Sequence, residues 1–157
     1  KVESVDSPVF FKDSKNVLVA NGDSVKMWNL TSGNLSQILQ DKDNKIATLA
    51  LSPDEKTIAI GYEDKGMKLW NLTDKSLIRT FQPEEKKLTY ADTVKFSSDG
   101  SLIINKNPGE IRIWDVESGQ LVQTLNDSEI WSAIITSDNK YIVGSNFKGF
   151  TKLWQKE

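Results

Sequence analysis

Neither cysteine nor histidine occurs in the sequence. Without cysteine there is no disulfide and no thiolate metal site. Without histidine the usual zinc ligand, the Ser-His-Asp triad and the commonest general acid/base are also missing. Enzymatic readings therefore start at a heavy disadvantage, and no cofactor is expected. Long apolar runs are lacking too, since no stretch approaches the ~20 residues that cross a bilayer. No basic segment followed by an apolar stretch opens the chain, so no secretory leader is visible in it. It opens on Lys1 rather than Met, which points to an excised or processed segment. With no cysteine and no leader, a cytoplasmic location is the expectation. Neither sign of charge dominates: 20 basic and 22 acidic residues are intermixed and the net charge is -2. That balance leaves no footprint for nucleic acid and no polybasic block for a membrane surface.

What the chain does contain is a period. The stretch "GMKLWNLTDKSLIRTF", from Gly66 to Phe81, returns as "SVKMWNLTSGNLSQIL", as "EIRIWDVESGQLVQTL" and, shortened, as "FTKLWQKE". Trp28, Trp70, Trp114 and Trp154 are spaced by 42, 44 and 40 residues. A fixed period in the forties with one Trp per unit means a repeat architecture. A second landmark precedes each Trp by 15 or 16 residues: Asp13, Asp54, Asp99 and Asp138, each in a polar turn between two apolar runs. Turn formers at that point make each one a hairpin connection.

Each unit reads as short, alternating, β-branched strands. The second unit gives Ile46–Leu51, Thr57–Tyr62, Met67–Leu72 and Leu77–Phe81. The first gives Ser7–Phe11, Asn16–Ala20, Val25–Leu30 and Leu35–Leu39. The third gives Ala91–Phe96, Leu102–Asn105, Ile111–Val116 and Leu121–Leu125. The fourth gives Trp131–Thr136, Tyr141–Ser145 and Phe150–Trp154, where the chain stops. No helical period competes.

The "SPD"-type turn, the "G-x-x-x-x-G-x-K-L-W" run from Gly61 to Trp70 and the pair Trp114–Asp115 resemble the WD-repeat β-propeller family, and the resemblance covers almost the whole chain. It implies an all-β fold of four-stranded antiparallel blades at about residues 1–40, 41–83, 84–126 and 127–157, the last without its outer strand. The other units carry Trp28–Asn29, Trp70–Asn71 and Trp154–Gln155, variants the family tolerates. The family's Gly-His element, which ties the Trp into a hydrogen-bonded network, cannot be present here. The repeat Trp residues are therefore expected to rely on apolar packing between sheets. The turn Asp before the third strand matches at Asp23 and Asp64, while the third and fourth units have Asn107-Pro108 and Lys148. Propellers close with ~4–8 blades, and by resemblance WD-type rings use about seven. Four blades are thus expected to be half of a larger ring, or to join a second copy. A strained four-blade ring is the lesser alternative.

By the same resemblance, the start of each innermost strand lies on the narrower face where partners dock. That singles out Ser4 and Asp6, Lys45 and Ala47, Tyr90 and Asp92, and Glu129 and Trp131. Trp131 is the one Trp outside the repeating register, and Tyr90 is the aromatic of the equivalent loop next door. Aromatics beside charges are typical anchors for a partner protein. For Trp131 a place in the central channel or packed inward is equally open. Asp6, Lys45, Tyr90, Asp92, Glu129 and Trp131 form the expected partner-binding set.

Other patterns carry less. "DKDNK", Asp41 to Lys45, fails as a calcium loop: Lys45 stands at the fifth position, no Gly at the sixth and Ser52 at the twelfth. "QPEEKK", Gln82 to Lys87, reads as an inter-blade insertion. Asn29, Asn34, Asn71 and Asn126 head glycosylation-type triplets that follow from the repeat itself. The paired carboxylates Asp41/Asp43 and Glu84/Glu85 lie in polar loops where burial and pKa shifts are not expected. No phosphate-binding glycine loop, dinucleotide fingerprint or nucleophile motif is present. The expected function is a non-catalytic platform for protein partners, by analogy with propellers fused to regulatory domains. The alternatives are a self-assembling half-propeller and, further off, an enzyme or ligand site in the channel built from Asp and Glu alone.

Overall fold

A computed structural model describes residues 8–42, 44–63, 65–82, 91 and 93–156. Every regular element among them is a strand. The first sheet holds β1 (Val9–Phe10), β2 (Asn16–Asn21), β3 (Ser24–Asn29) and β4 (Leu35–Gln40). The second holds β5 (Ile46–Leu51), β6 (Thr57–Tyr62), β7 (Met67–Asn71) and β8 (Leu77–Phe81). The third holds β9 (Thr93–Phe96), β10 (Leu102–Asn107), β11 (Glu110–Asp115) and β12 (Leu121–Asn126). The fourth has three strands, β13 (Ser132–Ile135), β14 (Tyr141–Ser145) and β15 (Thr151–Gln155). Each sheet is an antiparallel meander in chain order. The architecture is a partial propeller of WD-type blades, with the sheets not closed into a ring.

Local chemistry explains the hairpins. At the turn between the first two strands of each blade, the Asp carboxylate ties down its own loop. Asp13 accepts from the Lys15 and Asn16 backbone N–H groups, and Asp54 from the Ser52 hydroxyl and the Lys56 N–H. Asp99 accepts from the Ser97 hydroxyl and the Ser101 N–H, and Asp138 from the Thr136 hydroxyl and the Lys140 N–H. The following residue is left-handed in all four cases: Ser14 (φ 55), Glu55 (φ 61), Gly100 (φ 77) and Asn139 (φ 58). The residue after the Trp closes the next turn in the same way. Asn29 and Asn71 accept two backbone N–H groups each, and Asp115 accepts that of Ser118.

Strand alternation gives each blade a front and a rear face. The front carries the Trp, and the registers line up Phe10–Val17–Trp28, Leu51–Ile58–Trp70, Phe96–Ile103–Trp114 and Ile135–Ile142–Trp154. The rear rows are Val9–Leu18–Met27, Ala50–Ala59–Leu69, Lys95–Ile104–Ile113 and Ile134–Val143–Leu153. Among the described residues the core consists of three inter-blade clusters, each joining one blade's rear to the next blade's front. Gly61 allows one of these joints: a Cβ there would meet Thr48 Cγ2 at 2.6 Å and Ala91 Cβ at 2.7 Å. Polar clamps add to the joints. Arg79 donates to the carbonyls of Ser118 and Glu117, Asn139 donates to Asp99, and the Lys12 N–H donates to Glu55.

Three expectations change. Within the described residues the first unit's opening strand covers Val9–Phe10 and stops before Phe11, because the Phe11 N–H already closes the turn onto the Asn16 carbonyl; Ser7 lies outside the described residues. Trp70 is also not held by apolar packing alone. Its Nε1 donates to the Tyr62 hydroxyl at 3.3 Å, and the Asp41 carboxylate is near enough to that hydroxyl to disfavour its ionisation. Asp41 in turn accepts from Lys68 Nζ at 2.6 Å, with side chains only 13% and 17% exposed. The expectation of a solvated, unshifted carboxylate therefore fails at Asp41: burial alone would raise its pKa, but the ammonium and its other donors hold it below the usual value. A tyrosine chain thus does in the second blade what histidine cannot. In the third blade Trp114 follows the expectation: it is 3% exposed, meets Phe81 edge-on with ring centroids 5.7 Å apart, and leaves its Nε1 without an acceptor.

Candidate partner-binding site

The loops at the end of the blades where the innermost strands begin carry the expected site. Asp6, Tyr90 and Asp92, with Ser4, lie outside the described residues. Lys45 is exposed at the entry to β5 and pairs with Glu63, which follows β6, at 2.5 Å. An ion pair this exposed contributes little. Ala47 is buried and unavailable to a partner.

Glu129 and Trp131 share the loop that leads into β13. The Trp131 N–H donates to the Ser145 carbonyl, which fixes the loop against the end of β14. The Trp131 side chain is 58% exposed, so it is not packed into the core. Phe147, in the β14–β15 turn and 78% exposed, lies against it with ring centroids 4.4 Å apart and planes inclined at 43°. Lys106, from the end of β10 in the neighbouring blade, places its Nζ 5.4 Å from the Trp131 ring centroid. Cation–π attraction, worth about 0.5–1 kcal/mol at such a site, therefore favours this placement of the indole at the junction of the third and fourth blades.

The supporting loops are well braced. Asn146 accepts from the backbone N–H groups of Lys148 and Phe150, which sets the turn that presents Phe147. Lys148 Nζ reaches Glu129 at 3.1 Å across the same surface. Asp127 receives the Lys152 ammonium and the Glu129 N–H. These donors hold its carboxyl below the usual value, the Lys152 bond contributing most. The result is an exposed aromatic pair with the Lys106 ammonium against the indole and an exposed carboxylate–ammonium pair beside it. Such a surface can hold apolar and charged side chains of another protein. Among the described residues, no three acidic side chains converge as a metal site would require.

Sequence reasoning missed Phe147 and Lys106. Phe147 could have been noticed as an aromatic in a turn otherwise built of Asn, Lys and Gly. It also missed the recurring cation two residues before each Trp: Lys26, Lys68, Arg112 and Lys152. In two blades that cation meets an aspartate in the loop before the innermost strand, Lys68 with Asp41 and Lys152 with Asp127.

Comparison with known proteins agrees with this geometry. A 69-residue stretch is 36% identical to the U3 small nucleolar RNA-associated protein 12 of Saccharomyces cerevisiae. It covers 41% of this chain and 7% of that protein, so the chain spans only a small part of that relative's length. Residues 8–93, more than half of the chain, match the family described as the anaphase-promoting complex subunit 4 WD40 domain. With its Trp-bearing blades and Asp turns, the chain belongs to that WD40 family.

Proposed function

We propose that the chain is a non-catalytic interaction module that docks a protein partner on the surface formed by Trp131, Phe147, Lys106 and Glu129. The observation that carries this reading is the exposed aromatic pair held in place before any partner arrives. Preorganised anchors lose little entropy on binding, and aromatic anchors dominate interface energies. Tyr90, Asp92, Lys45 and Asp6 belong to the same reading as candidate contacts from the other blades. The yeast relative's name includes an RNA, but the near-balanced charge of this chain supports a protein partner instead.

The test compares proteins retained from a native lysate by the wild-type chain and by the W131A/F147A double variant. The expected result is a set of partners retained by the first and lost by the second, with unchanged circular dichroism. Equal retention by both would remove the platform from the interface.

A further inference from the structure

The turns between the first two strands of each blade lie at the end of the blades opposite to Trp131. At two of the three junctions, the residue after the turn Asp spans the gap to the preceding blade. Glu55 accepts from the Lys12 N–H of the first blade, and Asn139 donates to Asp99 Oδ2 of the third at 2.7 Å. Between the second and third blades that residue is Gly100, which has no side chain to cross with. A cleft of about 380 Å³ lies there, within the size range of ligand sites. Leu69, Ile78 and Val116 supply its apolar walls, and Asp54, Asp99 and Glu117 its carboxylates. Ile78 is the extra residue of a bulge in β8 and is 44% exposed. Arg79 is the one cation among the lining residues, and both its Nη groups are held by the carbonyls of Ser118 and Glu117. Asp99 is already served by Ser97, Ser101 and Asn139. Asp54, however, takes both its donors, the Ser52 hydroxyl and the Lys56 N–H, on Oδ1. Among the described residues, no donor reaches Asp54 Oδ2 or the Glu117 carboxylate.

We propose that this cleft takes an arginine side chain from an extended segment of a protein partner. The guanidinium plays the part that Asn139 plays at the next junction, donating to Asp54 Oδ2. The other side of its planar fork serves Glu117, so two carboxylates are met by one group. The methylene stem lies along the apolar walls, as long cationic side chains favour. A lysine fits less well, because a compact ammonium lacks the fork that reaches two acceptors. An acidic or phosphorylated segment is opposed by like charge. The cleft shares no residue with the Trp131 platform, so this proposal and that reading stand or fall separately.

The experiment titrates the isotope-labelled full chain with the peptide acetyl-Ala-Arg-Ala-amide and follows its amide resonances. A parallel titration uses the citrulline counterpart, which keeps the shape of the side chain and loses its charge. Saturable shifts are expected at Asp54, Ile78, Gly100 and Glu117, with a dissociation constant on the order of 1 mM. The citrulline peptide should bind at least about tenfold more weakly. Gly100→Asn supplies the missing donor from within the chain. Asn tolerates the left-handed backbone at Gly100 (φ 77), as Asn139 (φ 58) shows, and a Cβ there meets Pro53 Cδ at 3.3 Å. This variant should keep its circular dichroism and lose arginine binding at least about tenfold. Glu117→Gln, at an exposed position, repeats the test if Gly100→Asn loses its fold. No saturable shift, or equal binding of the citrulline peptide, would overturn the proposal. So would shifts spread over exposed carboxylates away from the cleft, or binding indifferent to the variant that stays folded.

Discussion

Trp70 Nε1 and the Tyr62 hydroxyl are 3.3 Å apart, and this bond starts a chain that runs through Asp41 to Lys68. Burial strongly disfavours the Tyr62 phenolate, and the neighbouring carboxylate disfavours it further, so the hydroxyl is always available to donate. Burial alone would raise the Asp41 pKa, but hydrogen bonds from Lys68, Tyr62 and Asn44 outweigh it and keep the carboxyl ionised. Removing the carboxylate with Asp41→Ala strands a half-buried ammonium and a hydroxyl, which should cost about 3 kcal/mol. Tyr62→Phe keeps the packing and should cost about 1–2 kcal/mol. Asp127→Ala breaks the more exposed counterpart and should cost about 1 kcal/mol or less. Urea unfolding of the three variants measures this order. Equal losses would mean that the tyrosine chain adds nothing to the second blade.

Lys75 sits at φ 62 in a turn where the first and third blades place Gly33 (φ 71) and Gly119 (φ 75). A side chain in the left-handed region costs about 1–2 kcal/mol, partly offset by the greater unfolded freedom of glycine. Lys75→Gly should therefore stabilise the chain by about 0.5 kcal/mol. The check is an upward shift of the urea midpoint with an unchanged slope.

The hairpin aspartates make the fold acid-sensitive. Hydrogen bonds from Ser52, Ser97 and Thr136 respectively are the main reason that Asp54, Asp99 and Asp138 sit below the model-peptide value of 3.8. A depressed carboxyl contributes stability that is present above its unfolded pKa and lost as pH falls through the folded one. Stability should thus be nearly flat from neutral pH to about 5 and decline below about 4. Asp99→Asn should be less stable than wild type at pH 7 and show a shallower acid decline. Parallel curves for the two proteins would contradict this assignment.

Gly61 is required by space rather than by backbone angle. Ala91 Cβ and Thr48 Cγ2 occupy the volume a side chain would need. Gly61→Ala should separate the second and third blades slightly and cost about 1–3 kcal/mol. Thermal unfolding by circular dichroism measures it.

Much of the fold was legible because the period, the Trp and the turn Asp are local signals. Ile46–Leu51, Thr57–Tyr62 and Leu77–Phe81 were expected as strands and are strands with those limits. What depends on how blades stack was not legible. Tyr62 stands where the other blades carry Asn21, Asn107 and Asn146, and only the folded joint brings Asp41 within its reach. Trp131 stood out by breaking the register, but nothing in the sequence connected it to Phe147, 16 residues later, or to Lys106 in another blade. Their pairing follows from the meander returning β14 beside β13 and from the third blade packing against the fourth.

The docking platform is tested most directly by a photocrosslinking residue placed at Phe147, with the same residue at Leu30 as control. Leu30 is 53% exposed and follows β3, at the opposite end of the blades. The platform reading expects discrete partner adducts in native lysate from position 147, abolished by Trp131→Ala, and none from position 30. Adducts from position 30 alone, or adducts at 147 indifferent to Trp131→Ala, would contradict it.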